Sequence, residues 1–124
     1  MAKRKAKKRA RRHTTRKRAK RAKVVKLPKH AVTLVVILRA KEGQEPLLEA
    51  ELRALVAPTR REEGCLQYDL HRSTELASQF FLHEVWETRE HHTAHTRTSH
   101  FLRWNARKDS LLAAREATFW QQIA

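Results

Sequence analysis

Val32-Thr33-Leu34-Val35-Val36-Ile37-Leu38 carries β-branched or apolar residues on both of its alternating faces, the pattern of a strand covered from both sides. The run is far shorter than the ~20 apolar residues that cross a bilayer. Downstream, Glu42-Gly43 marks a turn, and Gln44 or Glu45 opens a helix with Pro46 near its first turn. Leu47, Leu48, Leu52, Leu55 and Val56 then recur at helical spacing between Glu49, Glu51 and Arg53, which predicts an amphipathic helix. Pro58 is expected to kink or end it near Ala57, unless the polar stretch 59–62 continues for another turn. Gly64 marks the exit. From Cys65 to Arg72, Leu66, Tyr68 and Leu70 alternate with Gln67, Asp69 and His71, the period of a half-buried strand.

A polar connection over 73–78 leads to a third strand, Phe80 to Trp86, with Phe80, Leu82, Glu84 and Trp86 on one face and Phe81, His83 and Val85 on the other. Thr88 is placed to cap a histidine-rich helix from Arg89 to about Thr96, and Ser99 to cap another that carries Phe101, Leu102 and Trp104. The segment from Ala117 to Ile123, with Phe119 and Trp120, is expected to form the last strand. Strand, helix, strand, strand, helix, strand is the split βαβ plan of an α+β, ferredoxin-like domain. Two helices cover one face of such a sheet, yet the first and third strands are apolar on both faces. A second copy of the chain is the economical cover, so a homodimer is expected.

The 124-residue chain holds 28 Lys and Arg against 13 Asp and Glu, a formal charge of +15, but the excess is local. Residues 1–30 contain 16 of the basic residues and no acid, leaving 12 basic against 13 acidic residues in 31–124. The chain therefore divides into a basic tail, 1–30, and a domain, 31–124. Lys3, Arg4, Lys5, Lys7, Lys8, Arg9, Arg11 and Arg12 form one block, and Arg16, Lys17, Arg18, Lys20, Arg21 and Lys23 a second. With nothing apolar larger than alanine in either block, the tail is expected to be disordered in isolation and able to bind nucleic acid or another polyanion non-specifically. No aromatic residue interrupts it, so base stacking is not supported. A secretory signal would need an apolar core that is missing here. The lone Cys65 excludes an intrachain disulfide framework and fits a reducing, cytoplasmic setting. Two glycines leave no Gly-rich phosphate cradle.

Thr59-Arg60-x-Glu62-x-Gly64-Cys65-x-x-Tyr68-x-Leu70, Glu84-Val85-Trp86-Glu87 and His95-x-x-x-Ser99-His100-Phe101 resemble, in spacing and identity, the antibiotic biosynthesis monooxygenase (ABM) family over about residues 32–105. The resemblance implies a dimeric α/β barrel of ferredoxin-like protomers, each with a pocket between sheet and helices. It also implies oxidation of a quinol-like or polyphenolic small aromatic substrate by O2, with no cofactor and no metal. On this reading Trp86, Glu84 and His95 are the catalytic candidates: Trp86 to stack on the substrate and donate its N–H, Glu84 and His95 to accept a proton. Desolvation beside the indole would raise the Glu84 pKa. Tyr68, His100, Leu82 and Phe101 are the candidate substrate-binding residues.

Each has a structural reading too: core packing for Trp86 and Tyr68, a hydrogen-bond or salt-bridge role for Glu84, capping or packing for the histidines. Haem-degrading members carry a strand asparagine and a helical histidine where this chain has Val35 or its neighbours and Asn105, so haem ligation does not carry over. The anthrone-oxygenase type has an asparagine where Leu82 stands, which leaves the quinol type ahead by elimination. His91 and His95, one turn apart with Glu87 a turn earlier, could grip a metal, but a wet helix face explains them as well. Cys65 reads as a small buried residue in preference to a nucleophile.

Overall fold

In the computed structural model, which describes residues 26–124, the apolar run lies within strand β1 (Val32–Ala40). Helix α1 (Glu45–Arg60), strands β2 (Cys65–Arg72) and β3 (Gln79–Trp86), helices α2 (Arg89–His95) and α3 (Ser99–Leu111), and strand β4 (Leu112–Trp120) follow. The four strands form one antiparallel sheet in the order β2-β3-β1-β4, so the element order closes as the expected ferredoxin-like α+β fold. The tail positions from Lys3 to Lys23 that were assigned to polyanion binding lie outside the described residues. Among the described residues no helix is long and apolar enough to cross a membrane.

β1 sits between β3 and β4, and its alternation decides which residues meet the helices. Leu34, Val36, Leu38 and Ala40 are buried on the helix side, whereas Thr33, Val35 and Ile37 on the opposite side are only half-buried. Register then lines up rows across the sheet. Tyr68, Glu84, Leu34 and Phe119 form one row; Leu70, Leu82, Val36 and Ala117 the next; Arg72, Phe80, Leu38 and Arg115 the third. Residues directly opposite on neighbouring strands share a face, so these rows are the floor beneath the helices. The reverse face carries Val35, Ile37, Phe81, His83 and His71, with the His71 and Phe81 rings stacked at 4.2 Å.

α1 buries Leu48, Leu52, Leu55 and Thr59 against this floor, at the spacing of one helical face. Leu47, included in the apolar stripe on sequence grounds, points away and is exposed. The helix does not stop at Ala57 but runs through Pro58 to Arg60. A proline in the last turn removes a single intrahelical bond, and the chain then tightens, with the Arg61 and Glu62 amides donating to the Pro58 and Thr59 carbonyls.

Three further boundaries differ from expectation. A bulge between Cys65 and Gln67 breaks the alternation of β2, so Leu66 is exposed while Cys65 packs against the core near Tyr68. The cap of α3 is Thr98, whose Oγ1 accepts from the Phe101 amide at 3.3 Å, with Ser99 as the first helical residue. Thr88 caps α2 as expected, accepting from the His91 amide. The last strand begins at Leu112, directly after α3, and ends at Trp120. Its first half, Leu112-Ala113-Ala114-Arg115-Glu116, lacks the β-branched residues that announce a strand; pairing with β1 makes it one.

Gly64 adopts φ +79°, a region that favours glycine, and a Cβ there would collide with the His91 side chain. Its carbonyl accepts from the Glu87 amide at 2.8 Å, which locks the entrance of β2 to the end of β3.

Candidate active site

Between the floor and helices α2 and α3 lies a cavity of about 160 Å³ whose lining includes Leu34, Val36, Leu82, Phe101 and Trp104 among apolar residues. Its polar lining comes from Glu84 and Tyr68 on the floor, His92, His95 and Thr96 on the roof, and Arg115 on β4. A larger groove, lined by Arg53, Arg60 and Arg72, runs between α1 and the β2 side of the sheet, but its guanidiniums are already paired with Glu49 and Asp69.

Glu84 is 3% exposed, and its Oε1 accepts the Trp86 indole N–H at 3.0 Å, a bond available because residues two apart on β3 face the same way. Burial pushes its carboxyl up to about 7, against the opposing pull of the Trp86 bond and of Arg115. Near neutral pH the group therefore holds a proton much of the time. Trp86 is fully buried and does not line the cavity; its N–H is spent on Glu84, and its ring stands behind His95 at 4.8 Å.

His95, the last residue of α2, is 2% exposed and its Nδ1 lies 2.6 Å from Oε2 of Glu62, in the α1–β2 connection. His100 Nε2, in the first turn of α3, reaches the same oxygen at 2.8 Å. A carboxylate offers only acceptors, so both rings donate to it, and this assigns the proton of a neutral His95 to Nδ1. Nε2 then carries the lone pair, and it has no hydrogen-bond partner among the described residues. Burial lowers the His95 pKa, and Glu62 opposes that shift. Thr98 holds the two histidines in place: its hydroxyl donates to the His95 carbonyl at 2.8 Å while capping α3, with His100 Nε2 at 3.2 Å.

Around His95 the aromatic packing is close. Phe101 meets its ring edge-on at 5.0 Å and Tyr68 at 5.8 Å. Burial, then the Glu84 charge, raises the Tyr68 phenol well above its ordinary value; the buried Thr59 hydroxyl is near enough to pull the other way but makes no well-formed hydrogen bond. His92 is driven down to about 4 by burial, then by His95 and Arg89. At the mouth, Phe119 packs edge-on to His92 at 5.3 Å, with the Arg89 guanidinium 3.5 Å above the Phe119 ring.

The residues singled out from the sequence thus fall into two groups. Glu84, His95, Tyr68, Leu82 and Phe101 converge on the cavity, whereas Trp86 stands behind it and His100 turns to Glu62. Among the described residues, the donors that could hold a metal are Glu62, His95 and His100, whose ligand atoms lie within 4.8 Å of one another. His91, whose Nδ1 is 2.8 Å from the Thr88 hydroxyl, is not part of that cluster. Nor does the histidine helix present a uniformly wet face: His95 is buried, and His91 and His92 are half-buried. No local pattern marks Glu62, Arg115 or Phe119 as a site residue, and His92 stands out only within the histidine cluster of α2. Glu62 stood in the quoted Thr59–Gly64 motif, but its partner is 33 residues away, which no local pattern reveals. Cys65 is a poor nucleophile, its thiol pushed up to about 11 chiefly by burial and then by Glu62 and Glu84.

Residues 31–107 match the family described as "Antibiotic biosynthesis monooxygenase". The chain belongs to the antibiotic biosynthesis monooxygenase family. Among its relatives, the Mycobacterium tuberculosis protein called "Putative monooxygenase Rv0793" is 35% identical over 81 residues, covering 65% of this chain and 79% of that protein. Among solved structures, PA3566 from Pseudomonas aeruginosa is 38% identical with a TM-score of 0.75, over 77% of this chain and 97% of that one. The structure of Rv0793 is 26% identical over its aligned region, with a TM-score of 0.72, and covers 76% of this chain and 96% of its own. Membership of the ABM family supports a monooxygenase-like role, carried by the domain that holds the Glu84–His95 cavity.

Proposed function

We propose that this ABM protein oxidises a quinol-like aromatic with O2, using His95 as the base that starts the reaction. The observation that carries the reading is the Glu62–His95 pair: a carboxylate fixes the proton on Nδ1 of a buried imidazole that lines a cavity, leaving Nε2 free to accept a proton there. The base takes a ring hydroxyl proton, breaking the O–H bond, and Glu62 offsets the charge of the imidazolium. The resulting aromatic anion is rich enough in electrons to reduce oxygen. In the overall balance a quinol and O2 yield a hydroxyquinone and water, with the substrate supplying all four electrons. Glu84, protonated much of the time near neutrality, can donate a hydrogen bond to a developing oxyanion from the opposite wall.

The protein acts as a homodimer on this reading, a second copy covering the sheet face that bears Val35, Ile37 and Phe81, since the helices cover only the other. Oxygen uptake with a panel of quinols tests the activity. His95→Ala should lower the rate by about 10²- to 10⁴-fold, and Glu62→Gln should lower it less while shifting its pH profile. If no quinol drives uptake above background, or His95→Ala matches the wild type, the reading is abandoned.

A further inference from the structure

The cavity carries two properties that the choice of reaction leaves unused: its size and its cation. At about 160 Å³ it is close to the ~150 Å³ engineered cavity that takes up a single benzene ring. A fused two-ring skeleton is larger than the ring that such a cavity takes up. The cation is Arg115, which reaches the lining from the inner face of β4, opposite Leu38.

Of the ten arginines among the described residues, four are ion-paired, Arg53 and Arg72 with Glu49, Arg60 with Asp69 and Arg107 with Glu51, and Arg115 is the one that lines the cavity. Arg115 has no carboxylate within ion-pair distance among the described residues, although it lines a largely aromatic and aliphatic chamber. Glu84, on whose carboxyl the Arg115 charge acts, lies in the row of Leu34 and Phe119, while Arg115 is in the row of Leu38. Four residues of strand separate those rows by roughly 13 Å. One aromatic ring with a carboxylate, met by an extended arginine side chain, spans roughly that distance, and His95 lines the same chamber. A guanidinium presents paired N–H donors that match a carboxylate two-on-two, and the weak hydration of the group favours use in a partly dry site.

We propose that the natural substrate class is a single-ring dihydroxybenzene bearing a carboxylate, and that Arg115 selects it. This rests on the reading above for the dihydroxy ring, but its charge selection is measurable without turnover. Binding to the full chain, followed anaerobically by calorimetry or NMR, would compare 2,5-dihydroxybenzoate with its neutral methyl ester. The acid should bind about ten- to a hundredfold more tightly, as a charged hydrogen-bonded pair implies. Arg115→Met should erase the difference and Arg115→Lys should keep part of it, which also separates the pocket from the basic tail, because every variant retains the tail. Arg115 is exposed on an edge strand, and the Lys variant keeps the test open should the Met variant fail to fold.

Equal binding of acid and ester by the wild type, or a preference that survives in Arg115→Met, overturns the selection. Equally tight binding of 1,4-dihydroxy-2-naphthoate overturns the single-ring limit. Arg115-dependent binding of the acid with no oxygen uptake would instead leave the selection standing and remove the oxidation; uptake with ester and acid alike would do the reverse.

Discussion

Replacing Glu84 with glutamine keeps the side chain's shape and an oxygen for the Trp86 indole, and removes the titration. In the wild type the folded pKa of about 7 stands above the ordinary 4.5. Between those values the folded protein holds a proton that the unfolded chain releases, so stability falls as pH rises through that window. At 1.36 kcal/mol per pKa unit, the shift is worth roughly 3 kcal/mol, fully present below about pH 4.5 and lost above about pH 7. His92 acts with the opposite sign. Its pKa, lowered from 6.5 to about 4, makes stability fall as pH drops below 6.5, so the two partly cancel in the wild type between 4.5 and 6.5. The difference between wild type and Glu84→Gln removes the His92 contribution. Urea or thermal melts from pH 5 to 8.5 should show the variant gaining on the wild type by about 2–3 kcal/mol across the range, on the order of 10 °C in Tm for a domain of this size. The glutamine amide carries a burial cost of its own, but that cost does not depend on pH and moves only the offset. Parallel profiles would refute the buried, proton-holding carboxyl, and with it the hydrogen-bond donor opposite His95.

Gly64→Ala should destabilise the fold by about 1–3 kcal/mol, because the position needs positive φ and the new methyl collides with His91; a melting temperature unchanged within a degree would show that the loop gives way freely. Thr98→Ala removes the α3 cap and the bond to the His95 carbonyl and should cost about 1 kcal/mol, largely recovered in Thr98→Ser. In the native protein Cys65 should react slowly with iodoacetamide at pH 7, with the rate still rising past pH 9, because its thiol titrates near 11; rapid labelling of folded protein at neutral pH would show that the thiol is not shielded as described.

Much of this architecture could be read from local pattern alone. The two-faced apolar run of β1, the leucine spacing of α1, the alternation of β3 and the Thr88 cap are each set by neighbours within a turn or a strand, and short-range periodicity reports such neighbours directly. Glu84 and Trp86 were legible as partners because two residues along a strand must face the same way. What needed tertiary structure was everything set by contacts remote in sequence. β4 is a strand only because β1 offers it a free edge, so its alanine-rich first half, and Arg115 within it, gave no local sign. Leu66 left the core because a bulge displaced it. His95 is oriented by a carboxylate on a different connection, and Trp86 lost its place at the cavity wall because Glu84 and His95 stand in front of it. Composition and periodicity decide which faces are buried; the orientation of a base, and the cation set opposite it, depend on residues that only the folded sheet and helices bring together.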